Sequence, residues 1–152
     1  MNFEFSLIGF LFLIMLLVPN MIWTRFQPKD YELYSKNENR ILLALERIGE
    51  VFVSVFALFC GARFSFSALL LISFVLMILY EIYWFKYFKS RLTMADMYGD
   101  FLRIPLPGAV LPVLAFLFLG LYSKNILLLI STLILAIGHI GIHFNHKKEI
   151  DD

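Results

Sequence analysis

Two short stretches hold the residues able to do chemistry. "ALERIGE" places Glu46, Arg47 and Glu50 inside an apolar run that reaches Cys60, and "GHIGIHFNH" holds all three histidines, His139, His143 and His146. Glu46 and Glu50 are four apart and share one helix face, with Arg47 three before Glu50 and close enough to pair. The histidines fall within a narrow wedge of one helix. Three chemistries fit these residue types. Histidines four apart can both bind a divalent metal such as zinc, with a carboxylate from another helix completing the site; His139, His143, Glu46 and Glu50 are the candidates. A carboxylate–histidine chain in a membrane carries protons. A cavity lined with Glu, His and Arg also suits a lipid headgroup or isoprenoid phosphate, as in a lipid-modifying enzyme.

Each reading has limits. "HIGIH" lacks the glutamate that follows the first histidine of the metalloprotease motif, and the adjacent glutamates of membrane prenyl proteases are absent. Only one segment carries histidine, which argues against bis-histidine haem within one chain. No phosphate-cradling glycine loop, serine triad or nucleotide motif is present. No catalytic residue is assigned, and the reading leans away from an enzyme. The bland alternatives are structural: Glu46, Arg47 and Glu50 as an ion network fixing helix packing, Glu81 reaching the headgroups, His146 at the interface, and His139 bonded to a partner helix rather than to a metal.

These residues must be positioned by apolar elements. The chain has 152 residues, 61% hydrophobic and 16% charged, with a mean hydropathy of +0.80. A soluble domain carries about 25% charge and 45–50% apolar residues. Five apolar segments, about 6–24, 41–61, 66–85, 104–122 and 126–145, approach the roughly 20 residues needed to span a bilayer. Lipid offers the backbone no partners, so helices are expected. The fold class is therefore an all-α polytopic integral membrane protein, one bundle of five transmembrane helices. Met1 to Glu4 contain no Lys or Arg and no A-x-A-like cleavage site follows, so the first segment is expected to stay in the mature protein. The net charge of +1 offers no field for nucleic acid. Cys60 is the only cysteine, which excludes an intramolecular disulfide.

Lys and Arg placement sets the orientation. Segment 25–40 has four, segment 86–103 has four, and the tail has Lys147 and Lys148; Arg63 and Lys124 alone lie on the other side. The N-terminus is expected outside and the C-terminus in the cytoplasm. "YEIYWFKYFK" (80–89) and Trp23 read as aromatic-belt anchors. Segment 25–40 reads as polar and ordered in part at most. Segment 86–103 reads as a short helix on the inner leaflet, ended or bent at Gly99. Pro112 should kink the fourth span or free a carbonyl.

On this topology Asn20, Glu46, Arg47, Glu50, Glu81, His139 and His143 all fall in the inner half, and the outer half is nearly pure hydrocarbon. That points to a polar cavity open to the cytoplasm rather than a through pore. Gly138 and Gly141 flank His139 and would let another helix approach closely.

With "ENRILLALERIGE", "IPLPGAVLPV" and "GHIGIHFNH", the chain resembles the uncharacterised small multi-span membrane proteins common in bacteria. The resemblance implies an inner (plasma) membrane location and no particular activity. A non-enzymatic binding or accessory membrane component is the leading expectation. A small oligomeric proton-linked transporter component and a metal-assisted or lipid-modifying enzyme using Glu46, Glu50 and His139 are the alternatives. The expected partners are the lipid bilayer and further copies of the chain or other membrane subunits, with no nucleic acid.

Overall fold

The computed structural model describes residues 4–36, 38–99 and 101–152; Asn37 and Asp100, one in each of the two longer connections, lie outside them. Among the described residues there are seven helices and no strand: α1 Leu7–Trp23, α2 Tyr31–Ser35, α3 Arg40–Leu58, α4 Ala68–Phe88, α5 Met94–Met97, α6 Pro107–Ser123 and α7 Ile126–Asp151. The five longer ones form a helical bundle. The short α2 and α5 lie in the connections that follow α1 and α4.

Local chemistry sets the ends. Ser6 caps α1, its hydroxyl accepting the Gly9 N–H at 3.1 Å, and Asn39 and Asn125 cap α3 and α7 in the same way. α6 starts at Pro107, three residues later than expected, because Leu106 is left-handed (φ 48°) and Pro107 takes the first turn, where its missing N–H costs nothing. α3 stops at Leu58, short of the expected 61, just before Gly61 turns with φ 64°. α7 continues past the expected 145 to Asp151, where Lys147 and Asp151 pair one turn apart at 2.8 Å.

Among the described residues, only α4 and α7 are long and apolar enough to cross a membrane by length and composition. α1 and α6 are apolar but have 17 residues each, about 26 Å at 1.5 Å per residue. α3 has 19 residues but carries Glu46, Arg47 and Glu50.

The bundle interior packs around aromatic rings. Phe12 meets Phe74 edge-on at 4.9 Å and Phe116 at 6.0 Å. The outside is also apolar: Phe10, Ile14 and Leu17 on α1, Val51 and Val55 on α3, and Val75, Ile78 and Ile82 on α4 are all exposed. α3 and α7 press together at glycines. A Cβ on Gly49 would come within 2.5 Å of the Leu135 Cα, and one on Gly138 within 2.7 Å of the Glu46 Cα. Small residues are what permit backbones to approach this closely.

Two sequence expectations are corrected here. The aromatic cluster on α4 is not a lipid-facing belt: Tyr80, Tyr83, Trp84 and Tyr87 are all buried. They recur at i, i+3, i+4 and i+7, the inward stripe of a helix. Their hydroxyls hold other segments, Tyr83 donating to the Met97 carbonyl at 2.8 Å and Tyr87 to the Phe26 carbonyl at 2.9 Å. The short helix expected in 86–103 is present as α5, but its apolar side faces the protein rather than lipid. Met94, Met97, Tyr98 and Phe101 are buried in the core of the protein.

Candidate functional site

The close approach at Gly138 brings α7 against the α3 backbone at Glu46, and the neighbouring side chain follows. His139 Nδ1 lies 2.5 Å from Glu46 Oε1. His143, one turn along α7, stacks edge-on to His139 with ring centroids 4.5 Å apart. Its Nδ1 lies 2.7 Å from the Tyr98 hydroxyl, which also lies 3.3 Å from His146 Nδ1. Burial pushes the Tyr98 hydroxyl up from its ordinary value, so it remains a phenol with one proton. One proton cannot serve two acceptors, so when Tyr98 donates to one histidine the other must donate to the Tyr98 oxygen.

Tyr98 is placed by a tightly tied connection. Thr93 and Asp96 form a reciprocal capping box at α5. Asp30 Oδ1 accepts the Met94 N–H at 2.9 Å, and Lys29 N–H donates to the Leu92 carbonyl at 2.9 Å. The connections holding α2 and α5 thus form one floor beneath the bundle. The Thr93 hydroxyl and N–H, aided by Arg91, hold the Asp96 carboxyl below its ordinary value.

The same floor contributes Glu38. Its Oε1 stands 3.3 Å from His146 Nε2, off the line of a hydrogen bond. The Tyr31 hydroxyl faces Glu38 and favours its charged form. Burial, and then the negative charge of Glu46, raise the Glu38 carboxyl above its ordinary value. Burial, then Glu38, push the Tyr31 hydroxyl up to about 12. Polar groups therefore run in sequence from Glu46 through His139, His143, Tyr98 and His146 to Glu38.

These groups line one cavity of about 290 Å³ at the end of the bundle that carries the two longer connections. Six of the seven expected site residues line it: Asn20, Glu46, Arg47, Glu50, His139 and His143. Pro19 interrupts the α1 ladder beside Asn20, whose amide donates to the Leu16 carbonyl at 2.8 Å and to the Tyr80 hydroxyl at 3.2 Å. Gly108 also lines the cavity, and Pro112, four residues on, offers its carbonyl no helical donor.

Glu81 is not part of this cavity. It lies in a separate, mostly apolar groove with Val18, Ile22 and Phe85, and its Oε1 is buried without a hydrogen-bond partner. Arg47 and Glu50 are at the rim, paired at 3.0 Å with side chains 70% and 43% exposed. The four metal candidates do not converge. Glu50 turns to Arg47 and His143 to Tyr98, and among the described residues no three His, Cys, Asp or Glu side chains gather to hold a metal ion.

His146 is another correction. It was expected at the interface but is buried, with Tyr31 and Tyr34 edge-on to its ring. The sequence reading also missed Trp23, Tyr31, Glu38, Trp84 and Tyr98 as lining residues. The inward stripe on α4 could have flagged Trp84; nothing local marks Glu38 or Tyr98.

No family model matches the chain, and neither a curated protein nor a solved structure matches it. The cavity and its polar chain therefore carry the functional argument.

Proposed function

We propose that this chain is a five-span membrane protein of the bacterial inner membrane, N-terminus outside and C-terminus cytoplasmic, acting as a non-enzymatic binding or accessory component through its cavity. The carrying observation is the one-ended distribution of polar groups. Asn20, Glu46, Arg47, Glu50, His139 and His143 line one cavity at the end bearing the basic connections, where the positive-inside rule places the cytoplasm. The bundle exposes large apolar side chains on α1, α3, α4 and α7. Contiguous apolar surface on this scale suits lipid rather than water. Helices of 17 residues sit at the lower limit for a span, and α3 can carry its charges because they face a wet cavity.

Thiol labelling tests this reading. In a Cys60→Ser background, single cysteines at Ser65, Thr24 and Asp152 are exposed to a membrane-impermeant maleimide. Ser65→Cys should label in intact cells, and Thr24→Cys and Asp152→Cys only after permeabilisation. Labelling of Asp152→Cys in intact cells would overturn the orientation.

A second reading, a proton-linked transporter component, is favoured by the chain from Glu46 to Glu38. It predicts an oligomer whose interface extends the polar path outward. A monomer that remains sealed on the outer side removes it.

A further inference from the structure

We propose that the groove between α1 and α4 docks a second copy of this chain, which lays the exposed ridge of its α3 there and brings Arg47 to Glu81. The proposal rests on the five-span membrane reading above. Val18, Pro19 and Ile22 of α1 face Glu81, Ile82 and Phe85 of α4 across a groove of about 380 Å³. Val18, Ile22, Ile82 and Phe85 are exposed along it. Lipid tails cover such side chains as well as a protein does, so the apolar wall alone calls for no partner.

The carboxyl does. Among the described residues Glu81 has neither a hydrogen-bond nor an ion-pair partner. Its Oε1 is sealed inside the protein, which leaves Oε2 as the oxygen open to an incoming group. Buried acceptors are normally satisfied, and acids at membrane depth pair with another group or face water. A cation on Oε2 compensates the whole carboxylate.

Depth and charge name the occupant. Glu81 stands seven residues before the end of α4 at Phe88, and Arg47 seven residues after the start of α3 at Arg40. Both helix ends lie on the cytoplasmic side, so each residue is about 10 Å in from it. A neighbouring copy in the same membrane orientation therefore offers Arg47 at the level of Glu81. Arg47 is 70% exposed even while paired with Glu50, and its five donors suffice for a second carboxylate. Arg47, Val51 and Val55 form one i, i+4 ridge, and both valines are exposed. A lipid ammonium stays at headgroup level, short of Glu81. Two grooves facing each other would set one Glu81 against the other, like charge on like. The contact therefore runs head to tail, each copy giving its α3 ridge and receiving one in its groove, and closure makes a ring.

Complementary charge reversals test the contact. The full chain is reconstituted at low density in phosphatidylglycerol vesicles, and copies per assembly are counted by single-molecule photobleaching. Glu81→Arg and Arg47→Glu should each weaken assembly by about tenfold, the cost of one charge-assisted contact. Mixed together, the two variants should assemble again, because each then meets the opposite charge. A second readout leaves both charges in place: in a Cys60→Ser background, Ile48→Cys and Ile82→Cys chains should be joined by a short bis-maleimide only when mixed. This cross-link holds even where a charge variant fails to fold, and its absence overturns the proposal. So do a monomeric wild-type chain, an assembly that Glu81→Arg leaves intact, and a cross-link between Ile82→Cys chains alone. Dispersal of the wild-type assembly by phosphatidylethanolamine would give the groove to a lipid headgroup and overturn it too. The membrane reading falls separately: a monomer whose Asp152→Cys labels only after permeabilisation keeps its orientation and loses only this interface.

Discussion

Glu46 and His139 stand 93 residues apart in the chain and meet at 2.5 Å, the carboxylate oxygen on the imidazole Nδ1. The contact fixes the imidazole's orientation and leaves Nε2 for the cavity. Both side chains are largely buried, so removing one strands the other. Glu46→Ala should cost on the order of 2 kcal/mol, as for a lost hydrogen bond to a charged group. Glu46→Ala, His139→Ala and the double variant, followed by thermal unfolding in detergent, make a double-mutant cycle. The coupling should exceed about 0.5 kcal/mol; strict additivity would remove the pair as an energetic unit.

The approach of α7 to α3 rests on Gly138. A Cβ there would meet the Glu46 backbone, which cannot yield, whereas one on Gly141 would meet the flexible Leu42 side chain at 3.0 Å. Ala gains about 1 kcal/mol of helix propensity over Gly at either position. Gly138→Ala should nonetheless destabilise by about 1–3 kcal/mol through overpacking, while Gly141→Ala should be near neutral. Equal effects on the melting temperature would show that the helix contact is not set at Gly138.

The residues of the site were more legible than the frame that holds them. Glutamates four apart and histidines four apart are local patterns, and a helix turns each into one face. That is why Glu46, His139 and His143 could be named from the sequence. Tyr98 and Glu38 lie in connections, where no periodicity says which way a side chain turns. Their positions depend on long-range ties, such as Asp30 to Met94 and Lys29 to Leu92. Trp84 is ambiguous in the sequence for a different reason. An aromatic at a helix end satisfies both the belt rule and the inward stripe, and only the spacing of Tyr80, Tyr83 and Tyr87 separates the two. Depth alone groups Glu81 with the site, and depth does not fix the angle around the helix axis.

Tyr98 connects α5 to α7 through one hydroxyl shared between His143 and His146. Tyr98→Phe keeps the ring and removes that hydroxyl, leaving two buried imidazole nitrogens without a partner. The expected loss is about 1–3 kcal/mol, the cost of unsatisfied buried polar atoms. Imidazole nitrogen chemical shifts of His143 and His146 should both move in the variant. A shift confined to one histidine would mean that the other makes no hydrogen bond to Tyr98.

The floor of the cavity should give the protein a pH dependence centred on Glu38. Burial and the Glu46 charge raise its folded pKa above the ordinary 4.5, and the nearby Tyr31 hydroxyl opposes the rise. A group raised on folding holds more protons in the native state. Its contribution to stability is full below the ordinary carboxylate value and is lost as pH rises through the folded value. Glu38→Gln cannot titrate, so its thermal midpoint should lack this decline. Tyr31→Phe removes the opposing hydroxyl and should move the decline to higher pH. Midpoints measured from acid to neutral pH for the three proteins decide the matter. A Tyr31→Phe profile displaced toward lower pH would contradict the assigned influence of that hydroxyl.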